Sequence, residues 1–403
     1  MDTRFVASGA SIRDSHKRAI FSLYVPSLFF GIPGHAAFLL LPLCIIEIGG
    51  SPSAAAAVIG FKGLGMMLCD IPGGKIAGKI GNKLTMQVAA MVVGLAFLAY
   101  SFCDSVILFW LVAFIHGCGS STFLVGRMSF LASNYPGNQR GRIIAMIAGS
   151  LRLTALLGPL AGGLLIEFIE FKNTFMICSV MFFMGVFCMF RSQVVENSSE
   201  PELRGTSTID VVKEYRDIFM TAGVAAVVFM LMRAARTVLI PIIGESYNLD
   251  PSAIGLIVSL SALIDVLLFY PAGMAMDKYG RRSTAVPSSI LFTLGLLGLA
   301  TANGFISLLC WAIFLGIANG LSTGIVMTLG TDHAPVGRRG EFLGVWRLIT
   351  DSGSTLGPLA VSGLLVFWPL SIATLSVGGL CGIGSYLIFK HVDETIKEGT
   401  GEA

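Results

Sequence analysis

The sequence predicts an all-α polytopic membrane protein, twelve transmembrane helices arranged as two six-helix bundles in parallel repeat. Three observations carry that class. The 403-residue chain is 54% hydrophobic and only 13% charged, with a mean hydropathy of +0.80; a soluble domain carries about 25% charged residues. Apolar runs of about 20 residues recur, the length needed to cross a hydrocarbon core of roughly 30 Å. The second half of the chain also repeats landmarks of the first at one fixed offset.

The elements follow in order. Residues 1–18 are polar, with Arg4, Arg13, Lys17 and Arg18, and read as a cytoplasmic tail before the first span, not as a cleavable signal. Hydropathy places spans at 19–48, 54–77, 84–102, 106–133, 141–168 and 173–191, then at 218–247, 252–276, 283–302, 305–333, 340–366 and 369–390. The domains expected are therefore an N-terminal bundle (19–191), a polar cytoplasmic linker (192–217), a C-terminal bundle (218–391) and a cytoplasmic tail (392–403). With the N-terminus inside, the cytoplasmic ends hold Lys75, Lys79, Lys83, Arg140, Arg142, Arg191, Lys278, Arg281, Arg282, Arg338, Arg339 and Lys390. The opposite loops hold essentially Lys172 alone, so the positive-inside rule puts both termini in the cytoplasm.

The repeat has an offset of 199 residues. Pro42, Pro52 and Pro72 meet Pro241, Pro251 and Pro271; Gly74, Gly81 and Gly117 meet Gly273, Gly280 and Gly316. "YPGNQRG" (135–141) meets "APVGRRG" (334–340), and "GPLA" recurs at 158–161 and 357–360. Six-helix halves in parallel repeat are the organisation of transporters that rock around a midplane site.

Further motifs narrow the class. "GMAMDKYGRR" (273–282) resembles the loop signature of the major facilitator superfamily, and "GGKIAGKIGNK" (73–83) is the same signature with Gly78 where an aspartate is expected. "GPLAGG" (158–163) is similar to the fifth-helix motif of that superfamily's drug/proton antiporters, and "QRGR" (139–142) to its loop after the fourth helix. The resemblance covers nearly the whole chain and implies alternating access by two bundles, helices 1, 4, 7 and 10 lining a central cavity, and a monomer. It also implies that helix 5 meets helix 8 and helix 2 meets helix 11. The antiporter pattern is departed from at Ala113, Thr154 and Ala145. The "GPLAGG" residues Gly158, Pro159, Gly162 and Gly163 also serve plain close packing of helices. In the loop signature, Gly273, Gly280, Gly74 and Gly81 allow tight approach, Asp277 is expected to cap the next segment, and Arg281, Arg282 and Lys83 to hold facing helix ends as a conformational latch.

Charges within the spans are costly, at least about 2.5–3.5 kcal/mol each at mid-bilayer. Six are cations: Lys62, Arg127, Arg152, Arg233, Arg236 and Arg347; the acids at similar depth are Asp265 and Asp351, with Asp70 nearer the cytoplasmic end. Given the helix contacts that the resemblance implies, depth along the helices leads to the expectation that Arg152 bridges Asp265 and Lys62 bridges Asp351. Those two pairs, with Asp70 and Arg347, are the candidates for proton coupling or inter-bundle ion pairs. Arg233 and Arg236 interrupt the apolar run "VVFMLMRAARTVLIPIIG" (227–244) and share a face with Thr237. Helix 4 offers His116, Ser120, Phe123 and Arg127 on one face; helix 10 offers Asn319, Ser322 and Thr323; helix 1 offers Tyr24 and His35. This predicts a cationic substrate cavity, since guanidinium forks suit carboxylate, phosphate or sulfate. The competing reading has the two arginines pairing with Asp265 or capping helix-end carbonyls. Protons are the expected coupling ion, with His35 and His116 as further titratable candidates. Glu47 and Glu245 lie near the outer face, as a gate or as solvated groups, and Asp332 and His333 serve a cytoplasmic loop.

Walker loop, nucleophile elbow and metal-ligand spacing are all missing from the sequence, which excludes the usual enzymes and ATP-driven pumps, and no cofactor or nucleic-acid partner is expected. The eight cysteines fall in apolar runs and read as small hydrophobes. The function expected is a proton-coupled secondary transporter in a bacterial plasma membrane, moving an anionic, zwitterionic or amphipathic organic solute, as an exporter. An importer of organic anions (a symporter) and a non-transporting receptor on the same scaffold remain the alternatives.

Overall fold

The structure, a computed structural model, describes residues 19–135, 137–192, 208–335 and 338–391. Among the described residues, twelve long helices follow one another in the expected order. In the first half they are α1 (Ile20–Glu47), α2 (Pro52–Ile80), α3 (Asn82–Tyr100), α4 (Val106–Asn134), α5 (137–169) and α6 (171–191). The last two form one helical stretch broken only at Glu170, with φ 64°. The second half holds α7 (Arg216–Ser246), α8 (Pro251–Tyr279), α9 (Arg282–Leu299), α10 (Phe305–His333), α11 (Arg339–Phe367) and α12 (Leu370–His391). Among the described residues, ten helical stretches are long and apolar enough to cross a membrane, α5 and α6 counting as one. α11 is left out because Arg347, Asp351 and its hydroxyl residues lower its hydropathy. Large apolar side chains such as Phe168, Phe187, Leu267, Ile306 and Met327 stay exposed, as lipid-facing residues do. The predicted tails (1–18 and 392–403) and most of the linker lie outside the described residues; the linker's short helix Thr208–Glu214 packs on α11.

The repeat is visible in three dimensions. The first helix of each half holds a π-helical turn near its start, Ile20–Tyr24 and Phe219–Gly223, 199 residues apart. Gly158 and Gly357 bring α5 onto α1 and α11 onto α7. A Cβ built on Gly158 would lie 2.7 Å from the carbonyl oxygen of Ile32, and one on Gly357 2.7 Å from that of Leu231, which is Ile32's equivalent. Gly117 and Gly316 meet the equivalent carbonyls of Lys62 and Ser261. Backbones approach this closely only where no side chain intervenes. Gly81 (φ 90°) and Gly280 (φ 86°) make the same turn out of α2 and α8.

The two bundles meet along α2–α11 and α5–α8, as expected, and through α1–α7. The helix ends carrying most of the lysines and arginines form a basic end; the other is the far end. At the far end the bundles seal against each other. The Leu40–Ile45 stretch of α1 and the Val238–Ile243 stretch of α7 contribute to one buried core. Ser53 Oγ lies 3.2 Å from Ser362 Oγ across the seam. Gly60 and Gly63 of α2 admit Leu359 and Thr355 of α11, and Gly163 of α5 rests on Pro251 of α8. Among the described residues, ion pairs and ring contacts between the bundles reach no nearer the basic end than Asp70–Arg347 and Arg152–Phe269.

Candidate functional site

The α7 arginines both reach α10. That helix is broken after Ser322, where Gly324 takes φ 93°, a conformation that favours glycine. A break frees carbonyl oxygens that the next turn would otherwise bond. Arg233 Nη2 donates to the Ser322 carbonyl (2.6 Å) and to Ser322 Oγ (2.8 Å). Arg236, 9% exposed, donates from Nη1 to the Leu315 carbonyl at 3.1 Å. Arg233 thus caps a helix-end carbonyl, one of the arrangements weighed above, while the Leu315 carbonyl held by Arg236 lies inside the helical segment Phe305–Ser322; among the described residues neither arginine makes an ion pair. Arg233 Nε is buried without a hydrogen-bond partner. Beside them, Asp265 on α8 accepts from Asn319 Nδ2 (2.5 Å) and from Thr323 Oγ1 (3.0 Å). Ser322 Oγ donates to the Asn319 carbonyl, which ties Arg233, Asn319, Thr323 and Asp265 into one network. Thr237 turns back onto the Ala234 carbonyl instead of joining it.

The expected bridges are not made. Asp265 has both oxygens turned to α10, and Arg152 lays its guanidinium 3.3 Å over the ring of Phe269, one turn along α8. Lys62 does not reach Asp351 either. Its neighbour Gly63 is the residue facing α11, so Lys62 points to α1 and places Nζ 4.3 Å from the centre of the Phe38 ring. Asp351 pairs with Arg347 at 3.5 Å, and Arg347 also bridges Asp70 of the other bundle at 3.3 Å. Ser121 of α4 donates to Asp70. Asp70, Arg347 and Asp351 are thus one group of two carboxylates on one guanidinium. By the repeat, Asp70 corresponds to Phe269 and Asp351 to Arg152. The two interfaces place acid with acid on one side and aromatic with arginine on the other.

The α4 face expected to line the cavity is instead turned into the core of its own bundle. His116 is 1% exposed, held by Tyr100 Oη at 3.3 Å and by the ring of Phe97. Phe123 stacks on Phe30 with centroids 4.0 Å apart. Ser120 is buried, and Arg127, at 2% exposure, donates to Ser27 Oγ at 3.3 Å and leaves Nε unpartnered. Residues at every third or fourth position of a helix share one face, and aromatic neighbours on α1, α3 and α6 claim this one. His35 lies 2.9 Å from the Gly31 carbonyl and 3.2 Å from Thr154 Oγ1.

At the basic end, Arg281 pairs with Asp332 at 3.0 Å, which fastens the α8–α9 turn to the end of α10. Asp277 does not cap α9; its carboxylate lies 3.9 Å from Arg281. The equivalent positions of the first half, Asn82 and Ser133, make a neutral hydrogen bond at 3.4 Å. Lys83 donates to the Ser192 carbonyl at 2.7 Å, and Arg282 lies over Phe389. Gly74, Gly78 and Gly273 face nothing closer than 3.8 Å. Gly162 packs on Ala36 and Pro159 on Gly255, so the fifth-helix motif serves close packing on both sides of α5. Ser27, Ser121, Phe38 and Phe269 complete these groups without any signal in hydropathy; only Phe269 is reachable from the sequence, as the repeat equivalent of Asp70.

Two equivalent helical bundles that meet along shared faces are the organisation of a membrane transporter. A family model for the Major Facilitator Superfamily matches residues 27–223 and again 221–402. The chain belongs to the major facilitator superfamily. It is 23% identical over 364 residues to a "Multi-drug resistance efflux pump PmrA homolog" of Lactococcus lactis, covering 86% of this chain and 88% of that one. It is 28% identical over 198 residues to the "Hexuronate transporter" of Bacillus subtilis, a match that spans 47% of this chain and 45% of the relative. The fold is similar to that of the nucleoside transporter NupG, with TM-score 0.73 at 13% identity over 93% of this chain and 98% of that one.

Proposed function

We propose that this transporter works by alternating access, couples to protons, and exports an anionic, zwitterionic or amphipathic organic solute. One observation carries the reading. Lys62, Arg127, Arg152, Arg233 and Arg236 lie within the spans, and none has a carboxylate within ion-pair distance among the described residues. Their contacts are carbonyls, hydroxyls and aromatic rings. A buried cation without a counter-charge is strongly unfavourable, and an incoming anion removes that penalty. Arg233 and Arg236 hold guanidinium donors beyond those the carbonyls use, in position to fork a carboxylate or phosphate. Asp265, beside them, would receive the amine of a zwitterion.

With the basic end in the cytoplasm, the far-end seal makes this the inward-facing arrangement, in a bacterial plasma membrane and as a monomer. The efflux-pump relative supports export; the hexuronate relative supports an anionic cargo and favours a second reading, proton-coupled import.

The test uses sealed everted vesicles with a pH-sensitive dye. Glucuronate, a dicarboxylate or a lipophilic cation is added to the wild type and to Arg233→Ala/Arg236→Ala. Proton movement on adding the anions, lost in the double variant, is expected. A response to the lipophilic cation alone, unchanged in the variant, overturns the reading and makes both arginines structural.

A further inference from the structure

We propose that Asp70 and Asp351 bind one proton between them, across the bundle interface, and that this shared proton locks the α2–α11 seam. The inference deepens the proton-coupled reading above by naming the residues that would hold the proton. Its ground is geometric. Asp70 belongs to the first bundle and Asp351 to the second, and both touch the Arg347 guanidinium, at 3.3 and 3.5 Å. Two carboxylates on one guanidinium lie close enough to repel each other. The Asp70 side chain is 8% exposed, and its Oδ2 has no hydrogen-bond partner. The Oδ2 of Asp351 is likewise buried and without a hydrogen bond. Arg347 meets Asp70 at Oδ1 and Asp351 at Oδ2, so one guanidinium stands against two carboxylates: a single hydrogen shared by the two acids gives their buried oxygens a hydrogen bond and brings the group to neutrality with Arg347.

Among the described residues, no other charged group pairs with either carboxylate. α4 contributes the Ser121 hydroxyl and, further along, Arg127, which turns to Ser27. α7, packed on α11, carries Arg233 and Arg236, both turned to α10. α1 brings His35, bound to Gly31 and Thr154, and Glu47 at the far end; Lys62, on α2 itself, faces Phe38. α3 offers Lys83, held by Ser192, and α12 offers Lys390, both at the basic end. Parting the bundles leaves Asp351 ionised beside Arg347 on the same helix, with Asp70 on Ser121, and sends the proton to water. The opposite seam cannot do this, because Phe269 and Arg152 stand at the equivalent positions.

The experiment uses the full chain in nanodiscs with no solute added. Infrared spectroscopy is expected to show a protonated-carboxyl band that shifts in deuterated water and vanishes in Asp70→Asn and equally in Asp351→Asn. In either variant the remaining acid has Arg347 to itself and ionises. Arg347→Gln keeps both acids and should enlarge the band, which covers the case of an asparagine variant that fails to fold. Absence of the band, its loss in one asparagine variant only, or an unchanged band in Arg347→Gln overturns the proposal. Spin labels across the far end should report an inter-bundle distance that depends on pH in the wild type and not in the double asparagine variant; dependence that persists overturns the lock. Since no solute is used, failure here leaves the anion reading standing, and a failed anion assay leaves this one.

Discussion

Arg236 keeps one contact, a carbonyl of α10, and is nine-tenths buried. If its remaining donors serve an anion, Arg236→Ala should raise the KM for that anion roughly ten- to hundredfold, the range for hydrogen bonds to charged groups. Arg236→Lys should recover only part of it, because an ammonium has no fork. Counterflow kinetics in proteoliposomes check both. At this scale the sequence is legible in residue type and not in partner. Intramembrane cations announce themselves by their cost, and all of them sit at helix interfaces. Their partners do not. Lys62 on Phe38 and Arg152 on Phe269 are cation–π contacts, and an aromatic residue in an apolar run is indistinguishable from the others of its span.

Elements are set by glycine and proline more than by propensity. Gly158 and Gly357 carry α5 and α11 within backbone contact of α1 and α7, while Gly149 on the same α5 meets nothing within 4 Å. Gly158→Leu and Gly357→Leu should each lower the thermal transition in detergent, by about 1–3 kcal/mol or more of overpacking. Gly149→Leu, beside lipid or open space, should leave it unchanged. Gly324→Ala should cost about 1 kcal/mol through its positive φ and impair transport, because the break it sustains presents the Ser322 carbonyl to Arg233. The twelve spans are legible because length and hydropathy suffice for a segment that must satisfy its backbone internally. The break in α10 is not: glycine is common throughout the spans, and nothing local separates Gly324 from glycines inside continuous helices.

For the whole molecule, the repeat is the most informative feature of the sequence, since one offset relates helices, turns and packing glycines alike. It also exposes what diverged. Arg281–Asp332 replaces the neutral Asn82–Ser133 contact, so of these two equivalent ties only the one in the C-terminal bundle is ionic. Arg281→Asp should destabilise that bundle by about 0.5–1 kcal/mol, the scale of a partly exposed ion pair, and Asp332→Arg added to it should restore most of the loss. Denaturation monitored at Trp346, on α11 beside α10, would follow it. The far-end seal makes a sharper forecast. Ser53→Cys with Ser362→Cys should cross-link on oxidation, stop transport and recover on reduction; transport that continues through a complete cross-link would place the moving contact elsewhere.

That seal also sets a mechanical advantage. α2 has 29 residues, about 44 Å of helix at 1.5 Å per residue. Glycine-tight contact to α4 and α11 denies it room to bend near Gly60–Gly65. On the proposed alternating-access reading, for as long as the far end stays sealed, rocking one bundle about it by about 10° sweeps the basic end through roughly 8 Å, wider than a sugar ring. A few serine and glycine contacts there act as the short arm of a lever, and small forces between the acids midway along it are geared into an opening wide enough to pass cargo.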